Sequence, residues 1–548
     1  MNNSVSLLYR PGFKKAGPEN IKGLLQEMLQ EDLNVDKILD SLFRRGKCKK
    51  KEALLDTLMD WETDTENIEY RLDIMEEVFK KPGILKRILE VIAHTEAFAG
   101  DRRVVVSYHR ANSFRQIKSG AEHLLLYLET LEMLARALGS KGQYESEGLQ
   151  NLAQYAIGYV TSEDYKQLQA ILQMIQAGGS SLFNLKLSVR RSLNFQLRTA
   201  TLVEINHETL YQPGIAESNS VLDGLFRRNR GKPNESFITE PKFIGQRCVG
   251  EAAEKSLYHL GGYISGISSA LARFFIRLEK EIYFYVAAVE LLQVLEDAGL
   301  PLCRPQIAPY KEKQFSATGV YDLSFAFYLI PRKEFSPENI VRNKVAMNDE
   351  QGQIFVVTGP NQGGKTTYLR AVGLIQLLAQ AGMLVPAESA VLSPVDGIFT
   401  HFSRGEKADS DGGRLEEEMA RLEQIMQQIS GDSLLLMNES FSSTNFREGT
   451  IIAQEILGAL SIIGTRAVFV THLYELAKKV ARINEETKGR TKLASLVAGI
   501  KEPRVSQEEV QVIQRSFIIQ PGEPLTTGFV SDIARQYRIS YGDLTKKL

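Results

Sequence analysis

Residues 358–367 read Thr-Gly-Pro-Asn-Gln-Gly-Gly-Lys-Thr-Thr. Gly359 and Gly364, followed by Lys365 and Thr366, fit the spacing G-x-x-x-x-G-K-[ST]. The residue types suit phosphate chemistry. Glycines let backbone N–H groups curl around phosphate oxygens, the lysine neutralises β- and γ-phosphates, and the adjoining hydroxyl sits on Mg²⁺. The expected cradle comprises Gly359, Pro360, Asn361, Gln362, Gly363, Gly364, Lys365, Thr366 and Thr367. Two flanking elements must position it. Residues 353–357 form a short β-rich apolar run, and beyond the loop Leu369, Val372, Ile375 and Leu378 recur at helical spacing. In a strand, glycine loop and helix so ordered, the helix N-terminus adds a positive dipole to the site. A glycine-rich turn ahead of a surface helix is the bland reading of the same letters.

Two further strand ends carry candidate side chains. Residues 434–437 form a buried-strand candidate that runs into Asn438 and Glu439. In ATPases with this loop, such a strand delivers an acidic pair, the first residue on hydrated Mg²⁺ and the second polarising the attacking water. Glu439 suits the second role. Asn438 departs at the first, because its amide accepts from a metal-bound water but brings no charge; Thr366 and Asn438 are the expected metal contacts. Residues 468–470 lead into Thr471 and His472, which places His472 near the γ-phosphate; alone, a histidine after a strand is more often structural. Lys365, Glu439 and His472 are the expected catalytic set. Ser410-Asp-Gly-Gly-Arg414 precedes an amphipathic helix with Leu415, Met419, Leu422 and Ile425 on one face. Its glycine turn, Gly413 included, either caps phosphates held by a second subunit or simply starts a helix.

A 548-residue chain has room for three or four domains. Its 66 Lys and Arg against 67 Asp and Glu give no strong overall field, so any nucleic-acid contact must come from local patches. The three cysteines, Cys48, Cys248 and Cys303, are far apart, which argues against a disulfide framework or structural zinc and for a reducing compartment. No signal peptide is evident, and no apolar window reaches membrane-spanning length. A cytoplasmic protein with no membrane partner is expected.

The expected fold class is multidomain: an α-helical region followed by an α/β nucleotide-binding domain. Helical periodicity runs from Glu19 to about Ile175, and residues 121–138 and 164–175 read as long helices. The basic run 44–51 reads as a solvated loop more readily than as a DNA contact. Short strands are expected between Phe183 and Ile205. The stretch that follows has loop composition and clusters Arg227, Arg228, Arg230 and Lys232, either a phosphate-contacting loop or an exposed insertion. A long helix then ends at Pro301, Pro305 and Pro309. The boundaries expected are 1–182 for a helical core and lever region, 183–250 for a β/loop insertion, 251–305 for a returning lever helix and 306–548 for the ATPase domain.

The order of parts in the second half resembles the ATPase domain of MutS mismatch-repair proteins. The resemblance rests on residues 358–367, Val385-Pro-Ala387, Asp396-Gly-Ile-Phe399, residues 434–439, Glu448-Gly449, Phe469-Val-Thr-His-Leu-Tyr-Glu-Leu476 and residues 516–522. It implies a P-loop ATPase of ABC type using ATP and Mg²⁺, and a head-to-tail homodimer in which each site takes a signature loop from its partner. By the same likeness Phe335 and Asn339 fall on the segment that stacks on adenine. Upstream, Ile68-Glu-Tyr-Arg-Leu-Asp-Ile-Met75 and the helical run before Pro301 are similar to core and lever domains. The departures are specific. No N-terminal F-x-E wedge is found, the signature serine falls on Gly413 and the family's Asp on Asn438. By the same likeness the C-terminal dimer helices are expected to be cut short at Leu548 and a nuclease-like extension to be missing. The expectation is a short, divergent member without mismatch-reading and connector domains.

The first functional expectation is a slow, DNA-modulated ATPase. It would bind branched or structured DNA, without mismatch intercalation, and couple ATP turnover to clamp motion in mismatch repair or recombination, with repair proteins as possible partners. A nucleotide-switched scaffold that binds a protein partner is the alternative, and an ATP-binding protein without hydrolysis is a third.

Overall fold

The computed structural model describes residues 5–13, 23–43, 48–60, 62–96, 114–139, 143–177, 186–191, 197–204, 246–403, 413–500 and 515–524. The basic cluster 227–232, Arg44, Arg45 and Lys47, Ser410–Gly412 of the glycine turn and residues 525–548 lie outside them.

The first half is helical: α1 (Leu24–Asp32), α2 (Val35–Leu42), α3 (Lys49–Met59), α4 (Thr65–Lys80), α5 (Gly83–Glu96), α6 (Phe114–Leu138), α7 (Glu147–Val160) and α8 (Glu163–Ala177). Strands β1 (Lys186–Arg191) and β2 (Leu197–Glu204) form an antiparallel pair where β-formers were expected. The long helix α9 covers Gln246–Asp297. Then follow β3 (Gln306–Ile307), β4 (Phe315–Val320), α10 (Leu323–Leu329), β5 (Asn343–Met347), β6 (Ile354–Thr358), α11 (Lys365–Gln380), β7 (Ser389–Leu392), β8 (Ile398–Phe402), α12 (Arg414–Met426), β9 (Leu434–Asn438), α13 (Phe446–Ile463), β10 (Arg466–Val470), α14 (Tyr474–Lys478), α15 (Val480–Thr487), β11 (Leu493–Ile500) and β12 (Arg515–Pro521).

Backbone contacts divide the chain into two units, Met1–Phe13 with Glu77–Tyr285, and Lys14–Glu76 with Val286–Leu548. The boundaries expected at 182, 250 and 305 do not mark this division. The physical reason is α1: its apolar face contributes Leu25 and Met28 to the core of the α/β sheet, so the early helices pack with the C-terminal half. In the same unit Lys50 pairs with Glu290 and Lys51 with Asp40, so two cations of the basic run are already neutralised.

The first unit closes on its own core, in which Leu124, Leu128, Leu172, Ile175 and Leu271 are buried. Glu281 accepts from Ser6 Oγ at 2.6 Å and from Leu7 N at 2.7 Å, which ties the N-terminal segment to α9.

In the second unit six strands take the order β12-β11-β6-β10-β9-β8, all parallel except the β11–β12 pair, and a four-stranded sheet takes the order β3-β7-β4-β5. Strands β6, β8 and β10 are buried at every residue, as expected of parallel strands covered on both faces. One face presents Ile354, Val356, Leu435, Met437, Ala467 and Phe469 to Ala453, Leu457 and Leu460 of α13. Leu436 alternates to the other face, where it meets Gly373 of α11; a Cβ on that glycine would stand 2.5 Å from Leu436 Cδ1. The glycine lets α11 lie close to the strands whose ends it serves. Among the described residues no helix is long and apolar enough to cross a membrane.

Candidate functional site

Strand β6 delivers the chain into a loop with three left-handed turns: φ is +136° at Gly359, +58° at Gln362 and +85° at Gly364. The loop is compressed against β11. A Cβ on Gly359 would stand 2.7 Å from Ala498 Cβ, and one on Gly363 would stand 2.9 Å from the Pro360 carbonyl. Both positions therefore require glycine for space, and Gly359 also for its φ. Pro360 and Gly363 are buried, Asn361 and Gln362 are exposed, and Thr366 and Thr367 are half-buried in the first turn of α11.

Lys365 curls back over this loop. Its ammonium donates to the carbonyls of Gly359 at 3.0 Å and Pro360 at 2.8 Å, and the residue is only 5% exposed. Burial pushes its pKa down to about 8; the charge of Glu439 opposes that shift and Arg515 adds to it. Tyr474 Oη reaches the Gly359 carbonyl at 3.4 Å. A cation held by neutral carbonyls, with backbone N–H groups and a helix start beside it, favours an anionic ligand.

The ends of β9 and β10 complete the cluster. Thr366 Oγ1 donates to Asn438 Oδ1 at 3.1 Å. Glu439 sits in the left-handed region at φ +52°, and its N–H donates to the Val470 carbonyl at 2.8 Å, so the turn is pinned to the neighbouring strand. His472 Nε2 lies 2.9 Å from Glu439 Oε1. That hydrogen bond holds the Glu439 pKa below the usual carboxylate range, against burial, with the charges of His472 and Lys365 acting in the same direction. Strand order brings together residues distant in sequence: β6, β10 and β9 are adjacent, and their C-terminal ends open at one edge, where ligands of parallel α/β sheets bind.

Behind the acidic turn lies a buried polar cluster. His401 of β8 contacts Ser440 Oγ at 2.7 Å through Nδ1 and the Glu418 carbonyl at 3.1 Å through Nε2. The Glu418 carboxylate accepts from Phe441 N at 3.2 Å and Ser443 Oγ at 2.9 Å. The helix that begins at Gly413 is thereby joined to the loop that follows Glu439. Gly413 itself is the exposed N-cap of α12, and its carbonyl accepts from Glu417 N.

Phe335 is half-buried, and Asn339 is exposed in a 3₁₀ turn over Pro337–Asn339, its amide donating to the Glu334 carbonyl at 3.2 Å. Four residues on, Asn343 donates to the Phe517 carbonyl at 3.2 Å and accepts from Ile519 N at 2.7 Å. Through Asn343 this segment is tied to β12. Asn343, Tyr474, Arg515, Phe517 and the His401–Glu418 pair were not singled out as site residues from sequence. They lie on strands and helices far apart in sequence, and no local residue pattern marks them.

Residues 355–511 match the family model described as MutS domain V, and residues 63–298 match the one described as MutS2 N-terminal domain. The DNA mismatch repair protein MutS of Clostridium botulinum (strain Alaska E43) is 26% identical over 75% of this chain and 45% of its own length. This chain is a divergent member of the MutS family. That of Brevibacillus brevis is 28% identical over 48% of the chain and 30% of the relative, and the DNA mismatch repair protein Msh6 of Gallus gallus is 29% identical over 39% and 17%. The matched region thus spans less than half the length of each of these relatives. Within this MutS-family chain, the domain V match covers Lys365, Asn438, Glu439 and His472, whereas Phe335, Asn339 and Arg515 fall outside it.

Two outcomes follow for the site. A bound polyanion returns the Lys365 pKa upward from about 8, so nucleotide affinity should be level below pH 7 and fall by about tenfold per unit well above pH 8, with proton uptake on binding. Calorimetry in buffers of different ionisation enthalpy reads this directly, and a flat profile to pH 9.5 contradicts it. Glu439→Gln should keep nucleotide affinity within about threefold while lowering kcat by at least about a hundredfold, and His472→Ala should also lower kcat, by less. Equal loss of binding and turnover in Glu439→Gln would assign the residue to structure instead.

Proposed function

We propose that this chain is a P-loop ATPase of ABC type that couples ATP binding and hydrolysis to conformational change on DNA. The observation that carries the reading is the convergence of Lys365, the Thr366–Asn438 pair and the Glu439–His472 pair at the ends of adjacent strands. ATP and Mg²⁺ fit this arrangement. Lys365 and the loop amides would take the phosphates. Thr366 Oγ1 and Asn438 Oδ1 are neighbouring oxygens of the kind that coordinate a hard cation or accept hydrogen bonds from its bound waters, and phosphate oxygens would supply the charge that Asn438 lacks. Mg²⁺, when bound, supplies charge neutralisation at the β- and γ-phosphates.

The protein's own groups do the rest. Glu439 orients and polarises the attacking water, and its low pKa keeps it an acceptor. His472, held on Glu439, monitors the γ-phosphate. Phe335 and Asn339 would face the adenine. Gly413, at the N-terminus of α12, would cap the nucleotide of a second copy, making the active form a homodimer through the ATPase half. The Glu418–His401 cluster gives that contact a rigid path to the turn bearing Glu439. DNA is the proposed partner because the relatives are named for DNA mismatch repair, and branched or structured DNA is the class proposed. A nucleotide-switched scaffold for a protein partner is the second reading, favoured by the ion pairs that occupy Lys50 and Lys51.

Steady-state ATPase assays with duplex, mismatched duplex, four-way junction and single strand separate the readings. A change of at least about threefold with junctions but not with mismatches supports structured DNA, whereas indifference to every DNA at low salt, where phosphate contacts are strongest, supports the scaffold. Restoring a charge at the metal contact tests the mechanism: Asn438→Asp should raise kcat on the order of tenfold. An unchanged or lower kcat removes Asn438 from the metal site.

A further inference from the structure

The G-x-x-x-x-G-K-[ST] pattern assigns one cation to the phosphate site. The structure places a second one there, from an edge strand about 150 residues away. Arg515 Nη1 donates to Gln362 Oε1 at 3.1 Å. Gln362 is the exposed, left-handed residue at the outer turn of the glycine loop. A guanidinium has five N–H donors in a planar fork, and one hydrogen bond to a neutral amide leaves most of them for another acceptor. Among the described residues no carboxylate lies within 4.0 Å of the Arg515 guanidinium.

The strand that carries Arg515 is built to hold it in place. The β11–β12 register shifts between Ala498 and Ile500, with Ile500 opposite Arg515. Phe517 takes φ +58°, unfavourable for an aromatic residue and maintained here by its surroundings. The Asn343 side chain bridges the distortion, donating to the Phe517 carbonyl and accepting from Ile519 N. The Phe517 side chain then packs on the last glycine of the loop, 3.4 Å from where a Gly364 Cβ would stand. Phe517 and Arg515, two residues apart, thus both rest on the glycine loop, one by an apolar contact and the other by a hydrogen bond. Arg515 is also close enough to Lys365 to disfavour its charged form. Two cations facing the same loop repel one another, and an anion between them relieves the repulsion.

We propose that Arg515 is a phosphate-contacting residue of the nucleotide site, supplied in cis by β12 and held in reserve on Gln362, and that it acts beside Lys365 on the polyphosphate chain of a nucleoside di- or triphosphate. The proposal rests on the nucleotide-site reading given above. Guanidinium–phosphate contacts are among the stronger polar interactions because they are charge-assisted and can be bidentate. The bulge in β12 and the Asn343 bridge are then the parts that aim the arginine.

The test uses the full-length protein and three variants, Arg515→Ala, Arg515→Lys and Lys365→Ala, with ATP, ADP and inorganic tripolyphosphate as probes in Mg²⁺ buffer. Arg515→Ala should weaken all three by about tenfold or more, and Arg515→Lys should recover part of the loss because it keeps the charge without the fork. The ligand-free Tm of both should stay near that of the parent, with a smaller ATP-induced rise. Arg515→Gln serves if the alanine variant does not fold, since it keeps a polar partner for Gln362. Parent affinity for ATP in Arg515→Ala or Arg515→Gln overturns the proposal. So does loss of ATP affinity with tripolyphosphate affinity intact, which would place the arginine on the nucleoside. Equal losses in Ala and Lys with a lowered ligand-free Tm would mean that Arg515 only braces the loop. Failure of the parent protein to bind ATP, or undiminished binding by Lys365→Ala, sinks the nucleotide-site reading itself. Binding abolished in Lys365→Ala but unaltered in Arg515→Ala rejects only the arginine.

Discussion

A buried ammonium group that donates to backbone carbonyls is the interaction on which the site depends. Removing a charge from water is costly unless polar partners replace the lost hydration. Here Lys365 is satisfied by Gly359 and Pro360, which is possible only if the loop folds tightly enough to present two carbonyls to its own lysine. The tight fold requires a positive φ at Gly359, Gln362 and Gly364. It also requires β11 to pass beneath, with small Ala498 against the glycines. The lysine, the glycines and the supporting strand are therefore one mechanical unit, and a phosphate ligand would replace carbonyls that only partly compensate the charge.

Around that unit the parallel sheet decides what else can reach the loop. Strand β10 separates β6 from β9, so the turn after β9 lies within reach of both the loop and the residues after β10. The Glu439 N–H bond to Val470 fixes that turn in the left-handed region, and the fixed turn lets Glu439 meet His472. The helix side of the loop is held as firmly, by Gly373 against Leu436. Glu439, Phe441 and Phe517 all take positive φ beside the site, where surrounding hydrogen bonds over-determine the backbone.

The helices before residue 77 belong to this architecture in a way that chain order hides. Arg304, just past the end of α9, meets Glu69, Asp73 and Glu76, which share one face of α4 at spacings of four and three. Asp32 accepts from Arg370 Nε through its carbonyl at 2.9 Å, which links α1 to the helix that follows the glycine loop. These contacts explain why the α/β unit recruits an N-terminal segment. The buried sheet needs a cover, and α1 with Leu25 and Met28 supplies one.

Much of this was legible in the residues alone. The glycine loop, its strand and helix, Asn438 and Glu439 at one strand end and His472 at another all carry local patterns, because phosphate binding constrains residue type at fixed short spacing. The helical first half and the short strands after Phe183 were legible for the same reason, since periodicity is local. The tertiary structure alone decided which strand ends meet, and so that His472 rests on Glu439 and Thr366 on Asn438. It also decided that α1 packs with the α/β half, that Asn343 fastens β12, and that Arg515 arrives at Gln362. Those relations are set by strand order and register, and strand pairing between residues more than a hundred positions apart leaves no periodic mark on either partner.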